Sequence, residues 1–311
     1  MSDGEILKES RYAGIIKQMI ANTTEAPIVT ETNVYQEGRP ANKPLVKQII
    51  SDLMLPGSRI IGKEHLLELH ELAQKKKSCL LLLEHYSNFD LPCFSELIER
   101  CGEKFKEIAD SIVAVAGVKL NEESKLVLAF TEVFTRVVMF PPSGLVSILD
   151  PRERHLLDMR RARLNMAAMK MLKTLRNEGR LVLLFPTGTR YRPWDPSTGR
   201  GLKEMDSYLK FYSHMALVAV NGNTLVPNRA GPMDEDYPTK DVMIYTVSPV
   251  RRCAEFRRKV LKGREHEEDP KQHVADGIMS ALKAMHDRTE KARQRLLAEL
   301  GPAGPAIAPH G

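Results

Sequence analysis

Cys79 to Leu83 is an unbroken apolar run of strand length with charge on either side, and Leu181 to Phe185 repeats it. A strand written this way needs both faces covered, as parallel strands are beneath layers of helices. Ser111 to Val118, Val137 to Phe140, Ala216 to Val220 and Val242 to Val247 are further runs rich in β-branched and apolar residues. Helical patterns separate several of them, notably Leu91 to Arg100, Arg154 to Asn177 and Pro270 to Leu300. This alternation predicts an α/β fold with a mixed, largely parallel central sheet flanked by helices.

The chain ahead of the first run reads differently. Ile6, Ile15, Ile16, Met19 and Ile20 mark a short amphipathic helix within Glu5 to Ile20, and Ala26 to Pro44 reads as a linker. A second helix is expected from Pro44 to Leu55, a break at Pro56-Gly57-Ser58, and a third helix from Lys63 to Lys76, whose lysine-rich end suits a C-terminus. The expected organisation is a small helical N-terminal portion over residues 1–76, an α/β domain over 77–300 and a loose Gly- and Pro-rich tail over 301–311, with no internal repeat.

Length and charge bound the rest. A chain of 311 residues, 42% hydrophobic and 28% charged, has the composition of a globular protein, which excludes disordered, collagen-like and disulfide-stapled classes. The net charge of +6 favours anionic partners. Cys79, Cys93, Cys101 and Cys253 form no Cys-x-x-Cys pair and have no His at zinc-ligand spacing, so idle thiols in a reducing cytosol and no structural metal are expected. The first thirty residues carry acids early and lack the apolar core of an export signal. The apolar segment Leu126 to Leu149 is interrupted by Glu132, Arg136 and Pro141-Pro142, whereas a spanning helix needs ~20 mostly apolar residues. A soluble cytoplasmic protein is expected. The basic helix from Arg152 to Arg176, with Leu and Met interleaved, reads as a solvated charged face, a docking surface for an acidic carrier protein, or a peripheral contact with an anionic membrane. One Trp, 6% aromatics and no nucleic-acid motif argue against a nucleic-acid partner.

Two constellations carry chemistry. In Glu84-His85-Tyr86-Ser87-Asn88-Phe89-Asp90-Leu91-Pro92, the first strand runs into a polar turn and a helix start. His85 and Asp90 are five apart, which on one helix separates side chains by ~140°, so the two meet only if the loop curls back. Asp90 is also a good helix N-cap, and capping alone explains an aspartate there. Facing each other, a histidine and an aspartate at a strand's carboxyl end form a general base with its orienting carboxylate. The second constellation is Phe185-Pro186-Thr187-Gly188-Thr189-Arg190-Tyr191-Arg192-Pro193, where two guanidinium forks flank a Gly-containing turn and suit a phosphate. Solvated or salt-bridged arginines are the alternative.

These stretches resemble the glycerolipid acyltransferases that carry a His-x4-Asp signature, most closely the soluble glycerol-3-phosphate acyltransferases of the plant chloroplast stroma. Glu84 to Pro92 looks like the family's Asn-His-x4-Asp-Pro block, with Glu84 in place of the Asn and Leu91 inserted before the Pro. Phe185 to Gly199 is similar to the plant form's Arg-Asp-Arg-Pro-Asp-Pro-Ser-Thr-Gly stretch, with Arg190 and Arg192 in register. In Phe130 to Phe140, Arg136 falls at the place of the second-block arginine. The likeness spans roughly residues 80–230. Pro141-Pro142-Ser143 stands where the plant enzymes have a Lys-His phosphate contact, a departure for which Arg136 or an arginine among Arg152, Arg154, Arg160, Arg161 and Arg163 would have to compensate.

The resemblance implies acyl transfer from a thioester on acyl carrier protein or coenzyme A to the sn-1 hydroxyl of glycerol 3-phosphate, giving lysophosphatidic acid without a metal or resident cofactor. It implies His85 as general base, Asp90 as its orienting partner, and Arg190, Arg192 and Arg136 on the acceptor phosphate. Backbone N–H groups at Gly188, Thr189 or the helix start after Asp90 would face the oxyanion. Two alternatives stand beside this: an acyltransferase for lysophosphatidic acid or another lysophospholipid, and a non-catalytic lipid- or carrier-binding protein.

Overall fold

Every residue of Cys79–Leu83 is buried, and so is every residue of Leu181–Leu184. In the computed structural model, which describes residues 5–23, 28–122, 124–141, 150–263 and 268–301, these two segments lie side by side in parallel at the centre of a large sheet. The strands are β1 (Tyr35–Gln36), β2 (Arg59–Ile61), β3 (Cys79–Leu83), β4 (Ile112–Gly117), β5 (Arg136–Met139), β6 (Leu181–Leu184), β7 (His214–Asn221), β8 (Leu225–Val226), β9 (Tyr237–Pro238), β10 (Ile244–Val247) and β11 (Arg251–Arg252). Among the described residues nine of them join in the order β1-β5-β4-β6-β3-β7-β10-β2, with β11 also on β7, while β8 and β9 pair separately. The central run from β5 to β7 is parallel throughout; β1, β10 and β11 add antiparallel edges.

The helices are α1 (Ala13–Asn22), α2 (Lys43–Leu53), α3 (Lys63–Gln74), α4 (Asp90–Glu99), α5 (Glu103–Ser111), α6 (Lys119–Glu122), α7 (Lys125–Thr131), α8 (Pro151–Leu175), α9 (Met205–Phe211), α10 (Cys253–Leu261) and α11 (Pro270–Leu300). Successive strand residues point to opposite faces. Leu81, Leu83, Leu181 and Leu183 therefore pack with Ile16, Ile49, Leu66, Phe94, Ile108 and Phe130 of the helices before β5. Leu80, Leu82, Val182 and Leu184 pack on the other side with Leu172, Leu209, Phe256 and Leu282 of α8 to α11. Each such side chain contributes roughly 1.5–3 kcal/mol by leaving water. Two apolar layers on one sheet explain why the central strands carry no polar alternation.

The N-terminal portion is built into this sheet. Within the expected linker, Tyr35 and Gln36 pair with Val137 and Arg136, and Arg59 to Ile61 pair in parallel with β10 at the far edge. Both strands are too short to show a period. The expected helix over Glu5 to Ile20 is a turn of 3-10 helix at Leu7–Glu9 followed by α1. Ser10 interrupts it, its hydroxyl donating to Leu7 O at 2.7 Å while accepting from Tyr12 N–H, a local alternative to helical bonding. Pro142, Ser143 and the tail from 302 onward lie outside the described residues.

Topology selects one place on the sheet edge. After β3 the chain leaves through α4 and α5 on one face and passes β6 to reach β4; after β6 it leaves through α9 on the other face and passes β3 to reach β7. Where neighbouring connections diverge in this way, a crevice opens outside the carboxyl ends of the two strands. His85 follows β3 and the Arg190–Arg192 loop follows β6.

Replacing Leu81, fully buried in β3, by Ala is expected to lower unfolding free energy by about 2–5 kcal/mol. The same change at exposed Leu156 should move it by less than about 0.5 kcal/mol. Urea midpoints of the two variants check the contrast.

Candidate active site

The loop after β3 closes on a single carboxylate. Asp90 is 0% exposed, and its Oδ2 accepts from Tyr86 N–H at 2.6 Å, from Ser87 N–H at 2.9 Å and from His85 Nδ1 at 2.9 Å; its Oδ1 accepts from the Ser87 hydroxyl at 3.2 Å. The segment between residues 85 and 90 thus curls back as the spacing requires. Capping takes an unexpected form. Asp90 is the first residue of α4, and its carboxylate turns backward to the loop amides rather than forward to the helix. Four donors on one buried acid occupy its oxygens and fix the loop around it.

The same bonds orient the imidazole. Since Asp90 accepts, Nδ1 of neutral His85 carries the proton and Nε2 presents a lone pair. The ring lies flat on Phe185, centroids 3.9 Å apart and planes 21° apart, so a side chain at the end of β6 sets the tilt of one at the end of β3. The two loops are joined again by Tyr191 N–H, which donates to His85 O at 2.8 Å. The imidazole therefore stands at the sheet edge, half-buried, rather than in the apolar layers.

The arginine loop begins with a tight turn. Gly188 has φ +64° and donates its N–H to Phe185 O at 2.9 Å, and a Cβ there would stand 2.5 Å from Leu202 Cδ1. Its N–H is consumed by this turn, which corrects its expected place facing an oxyanion. Thr189 lies beside it, its carbonyl accepting from Thr187 Oγ1 at 2.6 Å and its hydroxyl from Arg192 Nη1 at 3.3 Å. Arg190 is buried and ion-paired through Nη1 with Asp236, itself 2% exposed. Burial raises the Asp236 carboxyl above its usual range against the opposing charges of Arg190 and, through space, Arg192. Both guanidiniums thus lie on the side of Asp236, but Arg190 is an internal anchor and Arg192 the half-buried one.

Arg136 is not brought to this group. It is level with Leu183 in the sheet, near the start of β5, three strands from β3. At ~4.8 Å per strand and ~3.3 Å per residue, its backbone is well over ten ångströms from His85. Its guanidinium instead holds Thr131 O at 3.0 Å and Phe134 O at 3.4 Å at the end of α7, and Asn121 Oδ1 at 3.4 Å. Burial lowers it to about 10, with Glu132 opposing. Of the arginines considered in α8, Arg160 bonds Glu122 Oε1 at 2.5 Å and Val29 O at 3.1 Å, and Arg161 lies 4.0 Å from Asp158.

Three residues of the first motif are held by partners outside both motifs. Glu84, one residue before the histidine, is buried, accepts from Val220 N–H at 2.8 Å and pairs with His286 Nδ1 of α11 at 3.2 Å. Tyr86 Oη lies 3.4 Å from the same nitrogen, and its phenol is pushed well above its usual range by burial and then by Glu84 and Asp90. The Tyr245 hydroxyl donates to Asp90 O at 2.8 Å. One signal for His286 was present: Ile278, Leu282, Met285, Thr289 and Arg293 form the buried stripe of α11, and polar residues on such a stripe need partners. Asp236 had no such signal, since it ends an ordinary acidic run. Cys79, Cys93 and Cys253 are buried, and burial pushes each thiol up to about 12.

No protein-family model matches the chain, and no curated protein does. No helix among the described residues is long and apolar enough to cross a membrane. The Glu84–His286 pair makes a measurable statement about pH. Burial lowers the His286 imidazole, but the bond to Glu84 and the charges of Glu84, Glu290 and Asp287 outweigh it and leave it raised. A histidine raised on folding stabilises fully below its unfolded value, about 6.5, and loses that contribution as pH climbs through its folded value. His70 and His214, lowered by burial, act in the opposite sense and below that window. The melting temperature is expected to fall as pH rises above about 6.5, and His286→Gln should flatten that limb in a thermal scan.

Proposed function

We propose that the chain is an acyltransferase that moves a fatty acyl group from an acyl thioester, on acyl carrier protein or coenzyme A, to the sn-1 hydroxyl of glycerol 3-phosphate. The observation that carries this reading is the His85–Asp90 pair, whose buried carboxylate presents Nε2 as a base at the carboxyl ends of β3 and β6. The adjoining loop supplies Arg192 as the guanidinium for the acceptor phosphate, with Arg190 holding the loop against Asp236.

In this mechanism Nε2 takes the proton of the acceptor hydroxyl as its oxygen attacks the thioester carbonyl carbon. The resulting imidazolium is stabilised by Asp90 at Nδ1. The tetrahedral oxyanion faces the start of α4, whose dipole favours negative charge, and Thr189 across the opening; the Asp90 and Cys93 N–H groups go to Ser87 O and Phe89 O and Pro92 has none, so Leu91 N–H is the backbone donor of that turn. Collapse breaks the carbon–sulfur bond, and the leaving thiolate takes the proton back from Nε2. The acyl group passes directly between substrates, so no acyl-enzyme forms. Phosphate binding at Arg192 places the hydroxyl against the base.

Thiol release from acyl thioester, followed with purified protein, tests the reading. Release that depends on glycerol 3-phosphate is expected; release only with lysophosphatidic acid or another lysophospholipid would change the acceptor, and none with either would overturn the acyl-transfer mechanism. His85→Ala is expected to lower kcat by about 10²–10⁴ with little change in acceptor KM. Arg192→Ala should raise acceptor KM roughly tenfold to a hundredfold, the worth of a hydrogen bond to a charged group. Arg190→Ala should instead lower stability by up to about 3–5 kcal/mol, because Asp236 is left buried without its partner.

A further inference from the structure

α8 has two apolar faces. Leu164, Ala168, Leu172 and Leu175 are its buried side. At 100° per residue, Arg152, Leu156, Met159, Arg163, Met166 and Lys170 fall within about 80° of one another on the opposite side. All six are exposed, with Leu156 at 67% and Met166 at 69%. Glu153 and Asp158, the acids of this half of the helix, lie on the flanks. Among the described residues no carboxylate pairs with Arg152, Arg163 or Lys170. A solvated outer face would be polar throughout; this one interleaves flexible apolar side chains with cations.

The helix also projects. Asn165 brackets Phe140, just beyond β5, donating to its carbonyl at 2.9 Å and accepting from its N–H at 2.8 Å, which marks where α8 crosses the carboxyl edge of the sheet. The turns before it, ~20 Å at 1.5 Å per residue, continue past that edge, with Leu157 and Leu164 packed inward and Arg160 bonded to Glu122 and Val29 O, so that their outward side is left exposed. They are firmly helical, because Asp150 caps the Arg152 N–H at 2.7 Å and Pro151 opens the first turn. Ile28, 71% exposed, extends the patch, since Arg160 ties Val29 O to this part of the helix. β3 and β6 run parallel to β4 and β5, so His85 lies at the same edge.

We propose that the outward face of α8 from Arg152 to Lys170 docks the protein on an anionic phospholipid surface, with Leu156, Met159 and Met166 entering the boundary between headgroups and acyl chains. An acid-free row of cations meets anionic headgroups, and apolar side chains spaced along a convex rod ~27 Å long meet a fluid surface that adapts to them. A folded acidic protein would have to offer a matching groove of that length. The assignment stands on the helix alone and goes beyond the acyl-transfer reading, although it places the candidate site against the membrane into which a long-chain product would pass.

Sedimentation of the full chain with phosphatidylcholine vesicles, with and without phosphatidylglycerol, tests it. Binding is expected only with phosphatidylglycerol and should weaken as salt is raised. Leu156→Ser/Met159→Ser/Met166→Ser and, separately, Arg163→Glu/Lys170→Glu are each expected to weaken it about tenfold or more. Lys271→Glu/Lys291→Glu, the same charge change on exposed positions of α11, should leave it nearly unchanged. Unaltered urea midpoints would show that all three variants fold. The proposal is overturned if the wild type stays in the supernatant with both vesicle types, if the α8 variants bind as it does, or if it binds an acidic carrier protein and no vesicles.

Discussion

The carboxylate of Asp90, sealed from solvent beneath the loop that follows β3, sets the geometry of everything around it. A buried group of this kind is tolerable only when its lone pairs are filled, and the donors nearest to hand are the N–H groups of Tyr86 and Ser87. Satisfying them folds the chain back by one tight bend, which delivers the His85 ring to the same oxygen. The orientation of the imidazole is thus a by-product of electrostatic necessity. No helix cap, metal or disulfide among the described residues supplies it, and the flat contact with Phe185 then leaves the ring little freedom to turn.

The central strands were legible because their physical requirement is written locally. Cys79–Leu83 and Leu181–Leu184 must be apolar at every position to lie under helices on both sides, and the parallel sheet follows from that and from the helical stretches between them. β1, β2 and β11 were not legible, being two or three residues long and formed only because a neighbouring strand offers a free edge. The His85–Asp90 encounter was readable as a conditional: the spacing demanded a bend, and the polar loop permitted one. Which way the Asp90 carboxylate would turn was not, since forward capping and backward closure use the same residues.

Pairings across long sequence separation were the hidden part. Arg190 reads equally well as an open fork or as an internal anchor until Asp236, 46 residues on, is seen beside it. Arg136 sits at a position that resemblance marks for phosphate, yet β5 carries it toward the end of α7, where backbone carbonyls use its donors. In both cases the side-chain type was right for anion binding, and tertiary placement decided otherwise. Arg192, two residues on, is only half-buried and donates to the Thr189 hydroxyl, so the proposed phosphate contact falls to it.

α11 connects these features. Polar residues on and beside its buried stripe meet the sheet at different strand ends: His286 holds Glu84 after β3, Glu290 bonds Asn221 Nδ2 at 2.8 Å at the end of β7, and Arg293 holds Asp241 just before β10. Arg293 and Asp241 are both buried, so removing either leaves a charge without its counter-charge. A helix fastened at three points along the carboxyl edge cannot slide without dragging Glu84, and Glu84 is bonded in sequence to His85. The long C-terminal helix, which touches neither motif directly by sequence, is therefore the element that holds the end of β3 in register with the loops it must face.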